Sequence, residues 1–118
     1  PDRLFGWLRQ GCYVQLTAQS LSGRFGRAAQ QASEEWLDAG AVHFIASDAH
    51  NTTSRPLRLK QTFEELAKSR GQELARGLLV ENPLAVFEGK PLPFVPDLSQ
   101  AAAATRAGAK KRKRFWFF

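Results

Sequence analysis

The stretch that most limits the fold is Val42-His43-Phe44-Ile45-Ala46-Ser47-Asp48-Ala49-His50-Asn51, an apolar, β-prone run that stops at a carboxylate and an imidazole two residues apart. Helical patterns lie on both sides of it, and strands alternating with helices make an α/β fold. In extended backbone, side chains at i and i+2 point the same way, so Asp48 and His50 can converge just past the strand's C-terminal end. α/β folds place their chemistry at that edge, because the loops after parallel strands meet there. A hard oxygen beside a borderline nitrogen suits Mn, Fe or Zn better than Ca or Mg. The competing reading of the spacing alone is a solvated loop.

Ahead of this run, Leu4, Phe5 and Leu8 recur at helical spacing over residues 2–10, with Gly11 as the stop. Cys12 to Thr17 has strand character, and Ala18 to Gly26 is a loop rich in Ser and Gly. Arg24 in that loop either neutralises an anion or stands solvated beside a helix start capped by Ser22; residue type alone favours the second. A helix of about fourteen residues is expected from Phe25, with Phe25, Ala29, Ala32 and Trp36 as its apolar stripe. Both aromatics then anchor the core, and Gly40 ends the helix. His43 alternates away from Asp48 and His50 and reads as a packed, hydrogen-bonded structural histidine.

Beyond the run, Asn51 to Ser54 is a polar loop, and Pro56 suits the first turn of a helix that carries Leu59, Phe63 and Leu66 inward as far as Arg70. Arg55 would lie just before that helix. Guanidinium fork and helix dipole there both favour a phosphoryl group, with a structural salt bridge as the alternative. After Gly71, a short helix spans Gln72 to Leu79. Asn82 then caps a last turn with Pro83 at its first position, and Leu84 and Phe87 face inward before Gly89. Lys90 to Pro96 holds three prolines and leaves the domain extended.

Charge separates body from tail. Arg106, Lys110, Lys111, Arg112, Lys113 and Arg114 account for the whole formal charge of +6, and residues 1–105 balance 11 basic against 11 acidic side chains. The organisation expected is a domain over residues 1–96 and a low-complexity, disordered basic-aromatic tail over 97–118, which ends in Phe115-Trp116-Phe117-Phe118. That tail suits weak contact with an anionic membrane surface better than nucleic acid, since no groove-reading helix accompanies it. No apolar run approaches the length of a membrane span, and no signal-peptide pattern opens the chain.

The single cysteine, Cys12, excludes an internal disulfide and fits a reducing compartment. Cysteine-dependent tyrosine phosphatases need an arginine six positions after the thiolate, and Ala18 stands there. In an apolar strand Cys12 would be buried and inert. Phosphatase chemistry in this chain would therefore rest on metals.

Phe44-Ile45-Ala46-Ser47-Asp48-Ala49-His50-Asn51-Thr52-Thr53-Ser54-Arg55-Pro56 resembles the last metal-ligand segment of the PHP (polymerase and histidinol phosphatase) phosphoesterases. With Ser20-Leu21-Ser22-Gly23-Arg24-Phe25-Gly26 upstream and Val80-Glu81-Asn82-Pro83 downstream, the resemblance is to the bacterial metal-dependent protein-tyrosine phosphatases of capsule and exopolysaccharide operons. It covers about residues 8–92. The resemblance implies a distorted seven-stranded α/β barrel, of which this chain would be the C-terminal part, because barrels of that kind need about 250 residues. It further implies a cluster of divalent metals, manganese with iron or zinc as alternatives, with Asp48 and His50 as ligands and the remaining ligands upstream of Pro1. Arg55 would bind the substrate phosphate, with Arg24 as a second substrate-binding candidate. The substrate class would be a tyrosine-phosphorylated protein such as a polysaccharide-export tyrosine kinase, in the cytoplasm or at the membrane periphery. The fragment alone would be inactive. Two alternatives stand beside this: another PHP phosphoesterase, acting on histidinol phosphate or a nucleotide, and a non-catalytic fragment whose tail binds membrane or nucleic acid.

Overall fold

The structure, a computed structural model, describes residues 2–98. The expected basic-aromatic tail lies almost wholly outside the described residues. Helix α1 (Asp2–Arg9) leads into strand β1 (Gln15–Thr17), a short helix α2 (Ala18–Leu21) and the longer α3 (Arg27–Asp38). Strand β2 (Phe44–Ala46) follows, then α4 (Lys60–Arg70), α5 (Gln72–Arg76), a π-helical turn (Gly77–Glu81) and α6 (Asn82–Phe87). β1 and β2 pair in parallel, with Gln15 opposite Phe44, Leu16 opposite Ile45 and Thr17 opposite Ala46. Parallel neighbours need a crossover, and α2 with α3 supplies it. The architecture is mixed α/β, as expected. Among the described residues the sheet has two strands, and no helix is long and apolar enough to cross a membrane.

The strands are shorter than the apolar runs that contain them. Val42 and His43 are buried but stand ahead of the ladder, and the His43 and Phe44 amides both donate to the Val14 carbonyl, at 2.9 and 3.1 Å. The period-two pattern survives where it decides packing: Leu16 and Ile45 face the core side by side. They meet Ala18, Leu37, Val42, Leu66, Ala75 and Leu78, with Trp36, Phe63 and Phe94 packed around them. His43 is buried as expected, and its Nδ1 accepts a hydrogen bond from the Val14 amide at 3.3 Å. Burial holds its pKa below the ordinary imidazole value, against a backbone hydrogen bond at Ala41 that acts the other way.

α3 ends as the sequence anticipates. The Gly40 amide donates to Leu37 O at 3.0 Å and the Ala41 amide to Trp36 O at 2.9 Å, the paired closure that suits a left-handed glycine after a helix. At the far end of α4, Arg70 ties back to Asp38 at 2.8 Å and to Glu34.

Several local expectations need correcting. Cys12 is exposed and precedes β1, so the burial on which its inert reading rested is not present; the turn at Gln10 and Gly11 carries it clear of the sheet. α3 starts at Arg27, and Phe25 is 48% exposed in the preceding turn, not a core anchor. Pro56 does not open α4, which begins four residues later. Residues 72–87 are helical throughout, and Asn82 caps nothing. Ala75, Leu78, Asn82 and Ala85 share the inward face, while Leu84 and Phe87 are 52% and 90% exposed. Starting a new helix at Asn82-Pro83 lost the phase of the helix already running.

Candidate functional site

The chain leaves β2 at Ala46, buries Ser47 and turns at Asp48, whose φ of 50° makes it the one non-glycine residue in left-handed backbone among those described. Asp tolerates that region better than most side chains, because its short polar group can bond locally. The extended geometry expected to align Asp48 with His50 is thus absent. A different one brings them together. The His50 ring places Nδ1 2.7 Å from the Asp48 carbonyl oxygen. A carbonyl only accepts, so Nδ1 carries the proton and donates, which leaves Nε2 as the ring's acceptor.

Arg55 is returned to this pair by a loop closed around one side chain. Asn51 Oδ1 accepts hydrogen bonds from the amides of Thr53 (3.1 Å), Ser54 (2.8 Å) and Arg55 (2.9 Å). The His50 and Asn51 amides donate in turn to the Arg55 carbonyl, at 3.0 and 3.3 Å. An Asn that captures the amides after it is the standard way a polar side chain builds a turn. The Arg55 guanidinium pairs with Asp48 Oδ2 and sets Nη1 3.4 Å from His50 Nε2. Its Nε is buried and has no hydrogen-bond partner. Arg55 lies five residues before α4, so proximity of a helix N-terminus does not contribute as anticipated.

Asp48 and His50 therefore both turn lone pairs toward a single cation. Here that cation is the Arg55 guanidinium. The donor set fits a borderline divalent ion: one carboxylate and one imidazole nitrogen, the latter held in the right tautomer by a backbone carbonyl on its other nitrogen. Among the described residues no group of three or more His, Cys, Asp and Glu could hold a metal, so within them this cluster offers two such donors. The ion pair itself adds little stability, since both side chains keep substantial solvent exposure.

Arg24 is not part of this cluster. Its side chain is exposed, no hydrogen bond or ion pair joins it to the other three, and it borders an open cleft of about 720 Å³ with Ser22, Ser47, Thr53, Arg58 and Lys60. Two residues given no site role by spacing matter more: Asn51, which closes the loop, and Phe25, expected as a core anchor, whose ring lies 5.8 Å from Arg55 Cζ. Asn followed by Thr and Ser at two and three positions on is the signal that could have identified the first.

With this geometry in hand, comparison with known proteins is informative. A family model described as capsular polysaccharide synthesis, CpsB/CapC, matches residues 2–88. CapC of Staphylococcus aureus is 45% identical over 64 residues, which is 54% of this chain and 25% of that protein. The tyrosine-protein phosphatase YwqE of Bacillus subtilis is 30% identical over 118 residues, all of this chain and 42% of that protein. The tyrosine-protein phosphatase CpsB of Streptococcus pneumoniae is 33% identical over 82 residues, 34% of its length. A crystal structure from the pair YwqE and CpsB, described as metal-dependent tyrosine phosphatases, superposes with a TM-score of 0.71 at 31% identity, covering 82% of this chain and 40% of that one. The chain thus spans between a quarter and less than half of the relatives it matches.

Proposed function

The chain belongs to the CpsB/CapC capsular polysaccharide synthesis family, and from that premise we propose that Asp48, His50 and Arg55 are its share of the active site of a metal-dependent protein-tyrosine phosphatase. One observation carries the reading: a carboxylate and a tautomer-fixed imidazole converge on one cation beside a guanidinium able to grip an anion. On the same reading the β1–β2 pair belongs to a distorted PHP-type barrel, completed by parts of family members that this chain does not span. The β2-to-loop position of the cluster agrees with it.

Asp48 and His50 hold the metal side, and the donor set favours manganese, with iron and zinc as alternatives. Divalent cations held there would supply Lewis acidity, lowering the pKa of water so that hydroxide is available near neutral pH. Arg55, with its donors in a fixed fork, takes two non-bridging phosphoryl oxygens and steadies the charge they gain as the P–O bond opens. The oxygen of water bonds to phosphorus, the bond to the tyrosyl oxygen breaks, a proton from that water ends on the tyrosyl oxygen, and the products are phosphate and tyrosine. A phenol with a pKa of about 10 leaves far more readily than an alcohol, so the aryl ester asks less of a general acid. Asn51 holds Arg55 at the right distance throughout. The substrate class is a tyrosine-phosphorylated protein of capsular polysaccharide synthesis, acted on in the cytoplasm.

The test is made in the gene product that carries this chain. Asp48→Ala and His50→Ala are each expected to lower bound metal, by elemental analysis, and to cut hydrolysis of a phosphotyrosine peptide at least a hundredfold. Arg55→Ala is expected to cut hydrolysis with metal content retained. Full turnover with unchanged metal in the first two variants would remove the assignment.

A further inference from the structure

The turn between α2 and α3 delivers one large side chain to the cluster. Gly23 and Gly26, at φ of 77° and 90°, bend it, and Gln30 closes it from below by donating from Nε2 to the Leu21 carbonyl at 3.0 Å. Between the two glycines Phe25 stands 48% exposed, and its ring lies 5.8 Å from Arg55 Cζ. Its distance to the guanidinium is within the range where a cation is drawn to the face of an aromatic quadrupole.

Asp48 and His50 hold Arg55 from one direction, Asn51 fixes its backbone, and Phe25 supplies a further support for the guanidinium. The consequence concerns what happens when the first support is spent. A carboxylate and an imidazole committed to metal ions no longer anchor an arginine side chain. The aromatic contact competes with neither, because it uses the π face and no lone pair. We propose that Phe25 is a positioning residue that keeps Arg55 at the phosphate-binding position while Asp48 and His50 serve the metals. The inference rests on the phosphate-binding role proposed above for Arg55.

Two measurements test it. In the 118-residue chain, the Arg55 Nε–H proton, which has no hydrogen-bond partner, is expected to show a ring-current displacement by NMR that Phe25→Leu abolishes and Phe25→Trp retains. In the gene product that carries the chain, inorganic phosphate is the probe, as a competitive inhibitor. Phe25→Leu is expected to weaken phosphate about fivefold, in line with a partly exposed cation–π contact, and to raise KM more than it lowers kcat, whereas Phe25→Trp restores both. Combined with Arg55→Ala, which leaves no cation for the ring, Phe25→Leu should add almost nothing, because a residue acting through another is silent once that other is removed. If the effect of Phe25→Leu persists in full in the Arg55→Ala background, or phosphate binds Phe25→Leu as well as wild type, the inference is wrong. If Arg55→Ala leaves phosphate inhibition intact, the phosphatase reading of Arg55 fails instead, whatever Phe25 does.

Discussion

At the residue scale the site depends on an amide oxygen that performs no chemistry. Asn51 Oδ1 gathers three successive backbone N–H groups, and with the His50 and Asn51 amides on the Arg55 carbonyl it draws residues 53–55 back toward Asp48. Asn51→Ala removes those acceptors at an exposed position where water replaces them, so the expected cost is about 1 kcal/mol. The effect on geometry should be larger than the effect on stability. Amides of Thr53, Ser54 and Arg55 are expected to lose hydrogen-exchange protection while the unfolding midpoint barely moves. Asn51→Asp keeps an acceptor in place and should retain most of that protection; equal protection in wild type and Asn51→Ala would show that the loop closes without the clasp. That Asp48 and His50 lie together was legible from their spacing at the end of a β-prone run, although left-handed backbone, not an extended one, brings them together. Attention to Arg55 came from the family resemblance and its place before a helix, and the structure sets it against Asp48 and His50. Asn51 and Phe25 were not legible, since hydrophobic spacing encodes neither a turn built by a side chain nor a ring that reaches a residue thirty positions away.

At the scale of elements, the helical segment that ends in α6 is fastened to β2 by a polar side chain in an apolar setting. Asn82 is fully buried; its Nδ2 donates to His43 O at 2.9 Å and to Phe94 O at 2.6 Å, and its Oδ1 accepts from the Phe94 amide at 3.0 Å. One residue thus satisfies the start of β2 and the proline-rich exit together. Asn82→Ala strands those groups, and with about 1–3 kcal/mol for each buried group left unpaired, a loss of roughly 3 kcal/mol is expected by urea denaturation. A change under about 1 kcal/mol would mean that water or a shift of Phe94 replaces the amide. The sequence showed a cap at Asn-Pro because the pair has that composition; only the helical phase carried on from Ala75 and Leu78 reveals the inward position.

His43, at the other end of the first of those bonds, makes the same joint sensitive to pH. Its folded pKa is lowered by burial, so the unfolded chain, near 6.5, binds the proton more readily than the folded one. Stability from a neutral His43 is therefore full above 6.5 and is lost as pH falls below it toward the folded value. A charged ring would also give up the Nδ1 lone pair that accepts from Val14. Urea midpoints taken a unit above and a unit below 6.5 should differ in wild type and converge in His43→Gln. Parallel pH profiles for the two proteins would assign the acid sensitivity elsewhere.

At the scale of the whole molecule, what the chain exposes agrees with what it lacks. A two-stranded sheet leaves unpaired strand edges, and Trp7, Tyr13, Val80, Leu84, Val86 and Phe87 are each about half exposed or more. Edges and apolar surface of that kind invite pairing with other chains. On the metal-site reading proposed above the donors are few: residues 99–118 contain no His, Cys, Asp or Glu, and the described residues place no third such side chain in a group with Asp48 and His50. Protein sites that hold a metal firmly use three or four ligands, so two donors should bind it weakly. Residues 1–118 are therefore expected to self-associate as concentration rises, to bind Mn²⁺ far more weakly than a site of three or four ligands does, and to leave a phosphotyrosine peptide intact. Sedimentation velocity across a concentration series, Mn²⁺ titration and a phosphate-release assay on one preparation decide it. A monodisperse sample with tight metal binding and metal-dependent turnover would show that the site is complete within these residues, and that the apolar faces have some other use.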